Sequence, residues 1–67
     1  MTIPELKSFF EGKTFTPPIQ ISPDQIVEDP VQFLHTQFIM VDQWSDKKPR
    51  DRCPAYLRLM KFWEVVR

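Results

Sequence analysis

Few side chains in this chain are able to do covalent chemistry. Its 67 residues include one histidine, His35, and one cysteine, Cys53. A thiol nucleophile needs a base within hydrogen-bond reach and a third group to orient that base. Nothing in the spacing brings His35 and Cys53 together. Cys53 reads instead as a half-buried, inert residue at a helix start, and His35 as a solvated residue on a polar helix face. One His and one Cys fall short of the four ligands of a structural zinc site. Glu28 and Asp29 are adjacent, but carboxylates at a helix start serve its dipole more readily than a cation. Gly12 is the only glycine, so no glycine-rich phosphate loop exists. The sequence predicts no enzyme, no metal and no cofactor.

Charge carries more information. Residues 1–46 hold two Lys and seven acids, a net of −5, while residues 47–67 hold seven Lys or Arg and two acids, a net of +5. Lys47, Lys48, Arg50 and Arg52 are therefore the candidate anion contacts. With Tyr56 and Trp63 they would combine phosphate attraction with aromatic stacking, as a nucleic-acid surface does. Against this, the basic segment can fold on the acidic half or solvate a loop and a helix face. Both aromatics fall toward the predicted core, which ranks nucleic acid below protein as the partner.

The elements that position these residues are legible from caps and periodicity. Asp29 suits an N-cap and Pro30 the first helical position, and Gln32 is spaced to reach back to Asp29. Val31, Leu34, Phe38 and Val41 follow at helical spacing, with Phe33, Met40 and Trp44 as a second apolar row. A helix near residues 30–45 results, with Gln32, His35, Thr36, Asp42 and Gln43 opposite. Upstream, Thr2 and Glu5 have capping-box spacing, and Ile3, Leu6, Phe9 and Phe10 share a face. Lys7 and Glu11 are spaced to pair, and Gly12 ends that helix near residue 11. Pro17, Pro18 and Pro23 then exclude a regular helix. An extended connector is predicted, dipping Phe15, Ile19, Ile21 and Ile26 into the core. Ser22-Pro23-Asp24-Gln25 reads as a turn, and an alternating strand over 15–21 would have no partner.

After a charged loop from Asp46 to Arg52, Pro54 opens a third helix near 54–66, capped by Cys53 or Asp51. Ala55, Leu59, Phe62, Trp63 and Val66 make its core face. Leu57, Met60 and Val65 lie outside that arc, beside Arg58 and Lys61, and these five form the candidate interaction surface. Leu34, Phe38, Leu59 and Trp63 are expected to be mutually buried. The expected fold is all-α: one three-helix domain over residues 1–67, with a proline-rich extended connector between helices 1 and 2.

Glu5-Leu6-Lys7-Ser8-Phe9-Phe10, Ile19 to Ile21, Ile26 to Phe33 and Pro49 to Leu59 carry a resemblance. In these segments the chain resembles a small family of uncharacterised bacterial proteins of unknown function. The resemblance implies a compact helical domain and transfers no catalytic or binding residue. The function expected is a non-catalytic protein-interaction module, with self-association as a homodimer as one form of it. An accessory nucleic-acid-binding role through 47–67 is the alternative. The lone thiol, the absence of a signal-like N-terminus and apolar runs far short of a membrane span point to the cytoplasm and away from a membrane.

Overall fold

The computed structural model describes residues 2–44 and 47–67. Helix α1 (Ile3–Phe10) leads to strands β1 (Ile19–Ser22) and β2 (Gln25–Val27), then to α2 (Pro30–Asp42). A 3-10 turn (Arg50–Arg52) and α3 (Pro54–Val66) complete the order. Among the described residues, three helices thus accompany a two-stranded antiparallel sheet, and the all-α expectation is corrected to a mixed fold.

Strand β1 has a partner after all. Ile19 pairs with Val27, Gln20 with Ile26 and Ser22 with Gln25, and the register breaks at Ile21. Pro23 and Asp24 form the two-residue connection, and the Ser22 hydroxyl donates to Asp24 Oδ1 at 2.8 Å. That bond holds the Asp24 carboxyl below its ordinary pKa. Because side chains alternate across a strand, Ile19, Ile21 and Val27 are buried while Gln20 and Ile26 face out. Ile26, expected in the core, is 57 % exposed. Val27 takes that place, directly opposite Ile19. The Pro17–Pro18 peptide bond is cis.

The helix starts follow from their caps. Thr2 Oγ1 accepts the Glu5 N–H at 3.3 Å, and Glu5 Oε1 accepts from the Thr2 N–H at 3.1 Å and hydroxyl at 2.8 Å. The hydroxyl bond and then the backbone bond hold the Glu5 carboxyl below its ordinary pKa. Asp29 Oδ1 accepts the Gln32 N–H at 3.1 Å. Gln32 does not reach back as a capping box would; its side-chain amide donates to Thr36 Oγ1 at 3.1 Å. Cys53 is the N-cap of α3 without a side-chain bond, and it is buried rather than half-buried. Gly12 has φ +74°, the left-handed geometry that lets the chain leave α1.

Helix α2 stops at Asp42, short of the predicted end; Ser45 and Asp46 lie outside the described residues. The Trp44 N–H donates to the Val41 carbonyl at 3.0 Å, a tightened final turn. Its indole N–H donates to the Pro49 carbonyl at 3.3 Å, tying the basic loop to the end of α2.

The core joins Leu6 and Phe10 of α1, Ile19, Ile21 and Val27 of the hairpin, Val41 of α2, and Cys53, Ala55, Leu59 and Phe62 around α3. Phe62 is its hub. The Phe62 ring lies 5.5 Å from Phe10, 5.2 Å from Phe15 and 5.4 Å from Phe33, centre to centre. Leu59 is fully buried as expected, whereas Leu34, Phe38 and Trp63 are half-buried, so the four are not the mutually buried set predicted. Gln37 sits where the two apolar rows of α2 converge, only 7 % exposed, and accepts a 3.3 Å bond from Arg58 Nη1.

Candidate functional site

Helices α1 and α2 run in opposite senses where they meet. Lys7 Nζ lies 3.7 Å from Asp42 Oδ2 and 5.6 Å from the Phe38 ring, and Phe10 lies 6.3 Å from Phe38. Lys7 therefore pairs across to α2 and not with Glu11 along its own helix. Continuing in that direction, α1 would next reach Leu34 and Val31. It ends before it gets there. With eight residues, α1 spans about 12 Å at 1.5 Å per residue, whereas the thirteen of α2 span about 20 Å. Gly12 then turns the chain aside.

The uncovered stretch of α2 forms one wall of a groove of about 580 Å³. Pro30, Val31, Leu34 and Phe38 supply its apolar side, with His35 on the rim. Phe10 and Phe15 supply the opposite side, and Lys7, Glu11, Lys13 and Thr14 border it. Phe15 is held there by its contacts with Phe10, at 6.0 Å, and Phe62. Val31, predicted to be a core residue, is 79 % exposed. The volume falls within the range of small-molecule and peptide sites, which are mostly apolar with a few polar groups at the edge.

His35 is exposed on the groove rim, while Cys53 is buried in the core cluster beside α3, so the fold does not bring the two together. Among the described residues no group of three or more His, Cys, Asp and Glu is placed to hold a metal ion. No described helix is long and apolar enough to cross a membrane.

The residues singled out by sequence are distributed over two other surfaces. On α3, Leu57 is 45 % and Val65 50 % exposed, with Lys61 exposed one turn from each. Met60 and Arg58 do not join them: Met60 packs half-buried against the core, and Arg58 is bonded to Gln37. Lys47, Lys48, Arg50 and Arg52 are all exposed around the 3-10 turn. Of the aromatic residues, Tyr56 is half-buried and lines a cleft with Arg50. Lys48 Nζ lies 5.3 Å over the Trp44 ring, and Trp63 is flanked by Phe9 at 6.3 Å and by the Arg67 guanidinium at 4.7 Å. The groove was missed in the sequence because Val31, Leu34 and Phe38 have the spacing of a core stripe. The mismatch between that stripe and the short helix ended by Gly12 was the available signal.

The whole chain, residues 1–67, matches a family described as a domain of unknown function, DUF6965. The chain belongs to that family. No curated protein and no solved structure matches it.

Proposed function

We propose that the chain is a non-catalytic protein-interaction module and that the groove between α1 and α2 is its binding surface. The observation that supports this reading is the apolar groove wall on α2, where Val31 is exposed and Leu34 and Phe38 are half-buried. A large exposed Val beside half-buried Leu and Phe in a concave site is costly to leave in water and favours a partner. An open groove between helices suits a protein segment presenting apolar anchors. The reading includes a bacterial cytosol, a setting compatible with a single unpaired thiol.

A photo-reactive residue in place of Val31, compared with one in place of the exposed Gln43, tests the proposal in cells. Adducts of discrete mass are expected at position 31 alone, and Leu34→Glu is expected to abolish them. Equal labelling at both positions would remove the groove as the binding surface. An enzymatic role would instead show as an activity lost with His35→Ala or Cys53→Ser.

Nucleic-acid binding through Lys47, Lys48, Arg50 and Arg52 is the second reading, favoured by the exposure of all four side chains. Two of the nearby rings already have partners, Trp44 under Lys48 and Trp63 beside Phe9 and Arg67, while Tyr56 lines a cleft with Arg50. Binding to generic DNA or RNA that weakens steeply with salt would support it.

A further inference from the structure

Away from the groove, we infer that Arg58 and Gln37, on the seam between α2 and α3, form a receptor for one carboxylate, the Asp or Glu side chain of a protein partner. Charge is the first argument. Gln37 is buried, and its Oε1 accepts from Arg58 Nη1 at 3.3 Å, which holds the guanidinium against the seam. Arg58 is itself half-buried. A charge partly withdrawn from water ordinarily has a counter-charge. Gln37 is neutral, and among the described residues no carboxylate is within ion-pair distance of Arg58. The acids of the neighbouring elements are engaged elsewhere. Asp42 answers Lys7, Glu64 answers Arg67, and Asp24 takes the Ser22 hydroxyl within electrostatic reach of Lys61.

The donor set is the second argument. With the Gln37 oxygen turned to Arg58, the amide nitrogen is its other polar end. That nitrogen has no acceptor among the described residues, and it is not sealed from solvent as the Trp63 indole N–H is. A guanidinium adds further N–H donors and no acceptor. Donors without an acceptor suit an oxyanion, and a carboxylate can take two parallel bonds from the guanidinium fork. The surroundings then decide the source. Met40, one turn along α2 from Gln37, and Leu57, beside Arg58, are both exposed apolar side chains. A nucleic-acid backbone is held by several cations at once, whereas Arg58 is a single unanswered cation with apolar flanks. An Arg anchor in such a setting is a common centre of a protein interface.

Titration of the full chain by nuclear magnetic resonance is the test, read at the Arg58 Nε–H and the Gln37 side-chain amide. The probe is a capped peptide with one Glu between two Leu residues, and the same peptide with Gln is the control. The Glu peptide is expected to shift both signals to saturation, and the Gln peptide to leave them in place. Arg50 and Arg52, exposed in the basic loop, are expected not to follow. Arg58→Lys keeps the charge but loses the fork, and is expected to bind the Glu peptide more weakly. The parent titration decides alone if that variant fails to fold. No shift with the Glu peptide overturns the inference, as does an equal shift with the Gln peptide or at Arg50 and Arg52. Undiminished binding by Arg58→Lys would remove the guanidinium fork as the receptor. Inorganic phosphate acting at lower concentration than the Glu peptide would overturn the carboxylate in favour of a phosphate ligand. Labelling at position 31 tests the groove separately, so the two sites stand or fall apart.

Discussion

Two phenylalanines at helical core spacing have different roles. Phe62 is fully buried and contacts three other rings, whereas Phe38 is half-buried in the wall of an open groove. Truncating a buried aromatic costs roughly 3–5 kcal/mol through lost transfer energy and the cavity left behind. Phe62→Ala is therefore expected to unfold a domain of this size, whose whole stability is only about 5–15 kcal/mol at best. Phe38→Ala already has solvent on one side and is expected to lower the melting temperature by less. Thermal unfolding of the two variants checks the order; a larger loss at Phe38 would mean that the groove is closed in solution. Gln37 belongs to the same scale. At about 100° per residue it falls between the two apolar rows of α2, so its burial was readable from the wheel. Its partner Arg58 was not, because only the packing of α3 on α2 sets that 3.3 Å bond.

The elements owe their limits to local chemistry. Asp29 accepts the Gln32 N–H, and Asp29→Ala is expected to cost about 1 kcal/mol, the usual size of a lost cap. Faster amide exchange at Gln32 in that variant would accompany the lower melting temperature, and an unchanged melt would mean that another group caps the helix. The hairpin offers a sharper test of register. Val27→Ala removes a buried side chain opposite Ile19 and is expected to cost up to about 2 kcal/mol. Ile26→Thr, one residue away on the outer face, is expected to be nearly neutral. Equal losses in the two melts would place both residues on one face and overturn the pairing.

For the molecule as a whole, the acid limb of stability has a defined sign. Glu5 and Asp24 both have carboxyl pKa values below their ordinary ones, each chiefly through a hydroxyl hydrogen bond, from Thr2 and Ser22 respectively. A depressed folded pKa means that the folded state favours the ionised form. Its contribution is complete above the ordinary carboxylate range, about 4, and is lost as pH falls through the depressed values. Melting temperature is therefore expected to drop on acidification below that range. The drop should be smaller in Thr2→Val and Ser22→Ala, which lack the hydroxyls. A steeper acid limb in these variants would contradict the assignment. Both carboxylates are fully exposed, so the effect is modest.

Signals confined to a few neighbouring residues were sufficient for much of this fold. Thr2 with Glu5, Gly12, Asp29 with Pro30, and Pro54 mark helix ends because caps and φ restrictions act within one turn. The core face of α3 followed from periodicity alone. The hairpin did not, because β2 is three residues long and its strand character depends on hydrogen bonds to β1, which periodicity within one segment does not report. The same limit explains Val31 and Ile26, apolar residues that the sequence assigns to a core. Whether an apolar side chain is buried depends on what lies across from it. For Val31 that is the length of α1, which ends at Phe10, and for Ile26 it is the face on which β2 pairs with β1. The groove is the consequence: its residues are written in the sequence, but its emptiness follows from how two helices of unequal length align.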